Sequence, residues 1–132
     1  MTVVLDTFEL RTKSYCDVIN ISQQVQNAIN NSGIKNGIVN VHVAGSTGAI
    51  STTEYEPGLV QHDIEELFES IIPYKKNYKH HNTWGDHNGA GHLRSFLIKT
   101  SHCWLRFHVV RDKDKHRITF ELIPFNNFLR CP

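Results

Sequence analysis

The segment from Trp84 to Arg94 concentrates residue types that bind metals, hold phosphates or transfer protons. It reads W-G-D-H-N-G-A-G-H-L-R, so an aspartate, two histidines and an asparagine stand close together between Asp86 and His92. Its three glycines free the backbone for sharp turns, and Asp and Asn side chains hydrogen-bond their own main chain. We therefore predict a loop over residues 74–91 that presents imidazole, carboxylate and amide groups to one point.

Histidine is unusually frequent, with nine in 132 residues, and five of them cluster in the middle of the chain: His62, His80, His81, His87 and His92. The spacing of His87 and His92 is five residues rather than the four of a helical zinc pair, so a metal would also need His80 or Asp86. Neutral imidazole binds first-row divalent metals, and Asp86 would be either a ligand or the group that orients a ring. We predict functional roles for His80 and His92.

Other polar residues leave alternatives open. The turn from Gly45 to Gly48, with Ser46 and Thr47 at its centre, is either an anion-binding nest or a plain β-turn. Glu54 and Glu56 share one face at strand spacing and would bind a metal, act as a base or lie in solvent. Arg94 would hold a phosphate or pair with a helix carboxylate. Trp84 would stack on a flat ligand or enter the core, and we favour the core.

The surrounding pattern must position these residues, and it favours an α+β fold. Alternation predicts strands at Thr2–Thr12, Gly37–Val43 and Ala49–Tyr55, with a closing hairpin formed by Cys103–Val110 and His116–Phe125. Helical periodicity predicts one helix that includes Val25 and Ile29 and ends at Gly33, and a second that follows Pro57-Gly58. No regular βαβ rhythm is present, so we predict a largely antiparallel sheet packed with a few helices, in one domain over residues 1–132.

Composition narrows the function classes. The net charge is +1 and basic and aromatic residues are not interleaved, which argues against nucleic-acid binding. No apolar run approaches the roughly 20 residues that span a bilayer, and no secretory signal stands at the N-terminus. We predict a cytoplasmic protein that does not enter membranes.

Three blocks resemble the YjbQ family, which is also named for secondary thiamine-phosphate synthase activity. They are S-G-I-K-N-G-I-V-N-V-H-V at Ser32–Val43, A-G-S-T-G-A-I-S-T-T-E-Y-E-P-G at Ala44–Gly58 and Y-K-H-H-N-T-W-G-D-H-N-G-A-G-H-L-R at Tyr78–Arg94. The similarity runs from about Asn20 to Ile98. It implies a compact α+β domain that assembles as a homotrimer, in the branch that carries G-S-T where others carry H-T-T.

The resemblance also implies a reaction, the joining of a pyrimidine diphosphate to a thiazole phosphate with loss of pyrophosphate. Such chemistry needs phosphate clamps and a divalent cation (zinc, nickel, manganese or magnesium). Carried over by position, the phosphate-holding residues are Ser46, Thr47, Asn88 and Arg94. The catalytic positions are Glu54, His80, Asp86 and His92, with Asp86 orienting an imidazole. The metal ligands are His80, His87 and His92, unless His80 and His92 serve to shuttle a proton.

The chain departs from the family pattern at two places. Ala90 stands where the N-G-H-S-H or N-A-D-A-H motif carries a ligand-type side chain, although His87 could substitute, and the G-R-L-x-L-G-T-W-Q segment has no clear counterpart between Val109 and His116. These departures leave three readings. The first is a low-efficiency transferase of the thiamine-phosphate synthase type. The second is a catalytically degenerate trimer that binds a phosphorylated metabolite or a divalent metal. The third is a hydrolase or isomerase that uses the same histidines.

Overall fold

The structure is a computed structural model that describes residues 2–13, 15–98, 103–111 and 116–121. Its helices are α1 (Ser22–Ser32), α2 (Ile64–Ile71), α3 (Lys79–Trp84) and α4 (Gly89–Ile98), with a π-helical turn at Leu59–Asp63 leading into α2. Its strands are β1 (Asn36–Val41), β2 (Cys103–Arg111) and β3 (His116–Glu121). The chain divides into two compact units, one holding α1 and the three strands, the other holding α2, α3 and α4.

In the first unit, α1 supplies the buried core. Val25 and Ile29 lie one helical turn apart and are both buried, and partly buried apolar side chains pack against them: Ile21, Ile34, Val39 and Val41. The helix ends at Gly33, whose φ of 68° is left-handed and whose N–H donates to the Asn30 carbonyl. The predicted helix and its glycine cap are therefore confirmed.

The three strands form one antiparallel sheet in the order β1-β2-β3. In the register of the first pair, Val39 lies opposite Leu105. In the second pair, Phe107 lies opposite Phe120. Strand β1 alternates exposed and half-buried residues, as a strand with one covered face must. The strands predicted at Thr2–Thr12 and Ala49–Tyr55 are wrong, because the described residues there adopt no regular secondary structure. A domain of helices with a small sheet is confirmed, whereas a fold built mainly on an antiparallel sheet is not, because the described sheet has three strands.

In the second unit, the start of the α2 segment is capped by a carboxylate. Glu56 accepts hydrogen bonds from the Gly58 N–H, at 2.8 Å, and from the Leu59 N–H. These amide groups have no partner within the helix, so a side-chain acceptor stabilises the first turn. Capping was not among the roles left open for Glu56, so the structure gives this carboxylate a role that the sequence did not predict.

The loop predicted over residues 74–91 is wrong in its centre, where α3 and the first turn of α4 form a short helical pair. Gly85 ends α3 with a φ of 76° and donates its N–H to the His81 carbonyl. Gly89 and Gly91 belong to helix α4, and at Gly89 a neighbouring side chain approaches so closely that it leaves no room for a Cβ. Across the described residues, no helix is long and apolar enough to cross a membrane.

Candidate active site

The two helices α3 and α4 bring together four of the predicted residues. His80 lies on α3 and His92 on α4, while Asp86 and Asn88 lie in the four-residue link between the helices. The left-handed Gly85 reverses the chain after α3, so the link passes back beside His80. These four residues, which span thirteen positions of sequence, therefore lie close together.

His80 is held by two oxygen atoms. Its Nε2 lies 2.9 Å from the Asn88 Oδ1 and 2.9 Å from the Asp86 Oδ1. Because a carboxylate only accepts hydrogen bonds, His80 must carry its proton on Nε2, which leaves Nδ1 as the free base in the neutral ring. Asp86, which was predicted to orient an imidazole, therefore lies in direct contact with the ring of His80.

His92 lies against His80. The ring centroids are 4.7 Å apart and the ring planes meet at 60°, an edge-to-face arrangement. Both histidines are half-buried, so their rings are held by neighbours and remain open to a ligand. Two imidazoles in contact, one of them oriented by a carboxylate, can hold and move a proton over a bound substrate.

The Gly45–Gly48 turn packs on the same helix α4. The Ser95 hydroxyl, which is buried, donates to the Gly48 carbonyl at 2.7 Å. A Cβ on Gly91 would lie 3.4 Å from the Cβ of Thr47, so the helix and the turn are in van der Waals contact. Ser46 and Thr47 are exposed. Thr47 faces Gly91, the residue that precedes His92 on α4. The structure therefore joins two motifs that are more than 40 residues apart in sequence.

Arg94 is buried and bound by protein groups. Its Nε and Nη2 donate to the Ile72 carbonyl at 3.0 and 2.8 Å, and Nη2 also pairs with the Glu69 carboxylate. The guanidinium lies 5.6–5.9 Å from three ring centroids, those of Tyr15, Phe68 and Tyr74. Among the described contacts, its buried Nη1 has no hydrogen-bond partner. Of the two roles left open for Arg94, pairing with a helix carboxylate is the one present here.

The ionisable groups around Arg94 are shifted by it and by each other. Burial opposes ionisation of Glu69, but hydrogen bonds from Arg94, Tyr15 and the Tyr74 N–H outweigh it and leave its pKa below the ordinary value. The hydrogen bond to Glu69 raises the pKa of the Tyr15 phenol. Burial raises the pKa of the Cys16 thiol, and Arg94 opposes that shift. The cluster therefore holds Glu69 ionised and keeps Tyr15 and Cys16 protonated.

Other predicted site residues lie elsewhere. Glu54 is exposed and belongs to an irregular segment. The ring of His87 lies 4.6 Å from that of His81 instead of joining His80 and His92. Trp84 is 76% exposed, so the favoured core role is wrong. In the part of the chain that the structure describes, no group of three or more His, Cys, Asp or Glu side chains is arranged to hold a metal.

Sequence reasoning missed the partners of Arg94. Glu69 lies on α2 and binds a guanidinium 25 residues away. Tyr15, with a left-handed φ of 73°, packs edge-on against Tyr74 with centroids 4.6 Å apart. No local pattern indicates either contact, because both depend on how distant segments meet.

Comparison with known proteins places the chain in a family. The profile described as UPF0047 protein YjbQ-like matches residues 6–107. A UPF0047 protein of Methanothermobacter thermautotrophicus is 37% identical over 98 residues, which are 74% of this chain and 66% of the relative. One from Archaeoglobus fulgidus is 34% identical over 92 residues, covering 70% and 68%. The match thus spans about two thirds of each relative's length. The chain belongs to the UPF0047, YjbQ-like family.

Proposed function

We propose that this protein is a low-efficiency transferase of the thiamine-phosphate synthase type, which joins a pyrimidine diphosphate to a thiazole phosphate. The observation that carries the proposal is the contact of His80 with Asp86, Asn88 and His92. A carboxylate-oriented imidazole beside a second imidazole is an arrangement suited to proton transfer. Membership of the UPF0047, YjbQ-like family leaves both the activity and the substrate open.

The proposed reaction needs a group that helps pyrophosphate to leave. The thiazole nitrogen attacks the carbon that carries the diphosphate, so a C–N bond forms, the C–O bond breaks and its electron pair departs with pyrophosphate. His92 would donate a proton to an oxygen of the leaving group, while His80, fixed by Asp86, would hold His92 and the substrate in place. Stabilisation of the leaving charge, more than covalent chemistry, would provide the rate enhancement.

Phosphate binding would use the exposed edge beside these histidines. Ser46 and Thr47 offer hydroxyl donors on the turn that packs on α4, and the first turn of α4 offers backbone N–H groups. Asn88 already accepts from His80 through its Oδ1, so its amide nitrogen is the group it would present to a phosphate. Arg94 would act indirectly, by fixing α4 against Glu69.

The predicted divalent metal does not fit the described residues as a preassembled site. Among the described candidate ligands, His80 lies near His92 and Asp86, and its Nε2 already faces Asp86 and Asn88. His87 lies against His81 instead. No step of the proposed reaction is therefore assigned to a metal. The binding of zinc, nickel, manganese or magnesium by His80, His87 and His92 remains a separate proposal, and so does assembly as a homotrimer.

The direct test is turnover of the purified chain on the two phosphorylated substrates, followed by pyrophosphate release. We expect slow but measurable turnover in the wild type and a loss of about 10²–10⁴-fold in His80→Gln and in His92→Gln. His62→Gln is the matched control, since His62 is exposed and lies outside the site, and it should retain full turnover. No turnover by the wild type would exclude the transferase function.

A second candidate is a trimer that binds a phosphorylated metabolite or a divalent metal without turnover. The observation that favours it is Ala90, which is only 1% exposed on α4. The ligand-type side chain expected there by resemblance is absent, and a larger one would enter packed space. Under this reading the histidine pair binds but lacks a third functional group.

Elemental analysis and light scattering test this second candidate. Near-stoichiometric zinc, nickel or manganese in the wild type, lost in His92→Ala, together with a trimeric mass and no turnover, would support it. A protein that binds neither metal nor phosphate, or that turns over substrate, would contradict it.

A further inference from the structure

An open pocket with basic residues lies outside the His80–His92 site. Its volume is about 530 Å³, and six residues line it: Tyr74, Lys75, Lys76, Asn77, His81 and His87. It is formed by the turn that follows α2, by α3 and by the link before α4. The residues that hold His80 do not line it. It therefore needs an explanation of its own.

Each described residue that lines the pocket is either neutral or able to donate a hydrogen bond to an anion. Two lysines, two histidines and an amide line the pocket, and no Asp or Glu stands among the described lining residues. A groove beside α2 has the opposite character, since three glutamates line it: Glu65, Glu66 and Glu69. The basic character of the pocket is therefore local and does not follow from the net charge of +1.

His81, one of the lining residues, carries a polar atom without a described partner. Its Nε2 is buried and, within the described residues, has no hydrogen-bond partner. The ring is held between Tyr78, at 5.9 Å, and His87, at 4.6 Å, so its position is fixed by packing. A buried nitrogen without a partner costs free energy that a ligand oxygen can restore.

The residue beside this nitrogen must be small. A Cβ on Gly89 would lie 3.3 Å from the His81 Nε2 and 2.9 Å from the Tyr78 Cβ. Glycine at this position therefore lets the first turn of α4 approach His81 without covering it by a side chain. Lys76 lies over the Tyr78 ring, with its Nζ 5.8 Å from the centroid, which holds the ammonium near the same place.

We propose that this pocket is an anion site that binds a phosphate group, as inorganic phosphate or as the phosphomonoester of a small metabolite. Lys75 and Lys76 provide ammonium donors, and His81 and His87 provide imidazole donors from the pocket wall. Charge-assisted hydrogen bonds to phosphate oxygens are stronger than neutral ones. The site is independent of the proposed transferase function and would exist in a protein without turnover.

The test is titration of the full chain with inorganic phosphate, and separately with glycerol phosphate, followed by nuclear magnetic resonance of the histidine ring protons. Signals of His81 and His87 should shift with saturation, and the tighter of the two probes identifies the source of the phosphate. Circular dichroism verifies that each variant is folded. Unchanged His81 and His87 signals with both probes would overturn the proposal.

Three variants test which residues bind the phosphate. Lys75→Met/Lys76→Met should raise the dissociation constant about tenfold or more, whereas Lys79→Met, on exposed α3 outside the lining, should change it less than about twofold. His81→Phe keeps a ring between Tyr78 and His87 but removes the unpartnered nitrogen, and it should also weaken binding several-fold. Equal weakening by Lys79→Met and by the double variant would show a general charge effect and contradict a built site.

Discussion

His92 and Arg94 lie two positions apart on α4 and make different kinds of contact. Arg94 is buried, and its Nε and Nη2 donate to Glu69 and to the Ile72 carbonyl. His92 is half-buried and touches only another imidazole among its described ring contacts. The side chain whose Nε and Nη2 are bound by protein groups stabilises the fold, whereas the one left partly open is suited to a ligand. A basic residue in a family motif is therefore not by itself a phosphate ligand.

The largest effect on stability should come from Arg94→Met. This change removes the guanidinium donors from the Ile72 carbonyl and the Glu69 carboxylate, which keeps only its weaker neutral donors, and we expect the free energy of unfolding to fall by about 3 kcal/mol. Urea denaturation followed by circular dichroism measures it. A loss below about 0.5 kcal/mol would show that the guanidinium contributes nothing to folding and would remove the contrast with His92.

A matched glycine pair tests the packing of α4 on its neighbours. In Gly89→Ala the new Cβ would lie 2.9 Å from the Tyr78 Cβ, so we expect a loss of about 1–3 kcal/mol in the free energy of unfolding.

In Gly91→Ala the new Cβ meets Thr47 at an ordinary 3.4 Å, and the gain in helix propensity should leave stability unchanged or raise it by up to about 1 kcal/mol. Thermal melts of the two variants give the comparison. Equal destabilisation by both would contradict the close approach at Gly89.

The smallest effect is a pH dependence from Glu69. Its pKa is lowered in the folded protein, so its contribution to stability is complete above the ordinary carboxyl pKa and is lost as pH falls through the folded value. The difference in free energy of unfolding between wild type and Glu69→Gln should be largest near neutral pH and shrink below about pH 4. A difference independent of pH between 3 and 7 would show that Glu69 is not held ionised by Arg94.

The local sequence pattern was enough to predict helix α1 and strand β1. The α1 stripe with its Gly33 cap and the β1 strand follow from periodicity and turn chemistry. The helical start of α4 could not be predicted, because glycine-rich sequence favours a loop whereas Gly89 allows close packing within a helix.

The candidate site, too, could be predicted only where its residues are close in sequence. The proximity of His80, Asp86, Asn88 and His92 was anticipated from their clustering in the chain. The Glu69–Arg94 pair was not, since it joins residues 25 positions apart through tertiary packing. His87 faces His81 for a similar reason, because the helical form of α3 sets neighbouring side chains about 100° apart.

The most direct test of the contrast between His92 and Arg94 is to measure pyrophosphate release and urea stability on the same preparations of His92→Gln and Arg94→Lys. We predict that His92→Gln loses about 10²-fold or more in turnover while its free energy of unfolding stays within about 0.5 kcal/mol of wild type. Arg94→Lys should lose about 1–2 kcal/mol of stability because lysine cannot reproduce the planar fork, yet retain turnover when folded. Full turnover by His92→Gln would contradict a catalytic role for His92. An Arg94→Lys variant that is inactive but normally stable would contradict a structural role for Arg94 and make it the phosphate ligand.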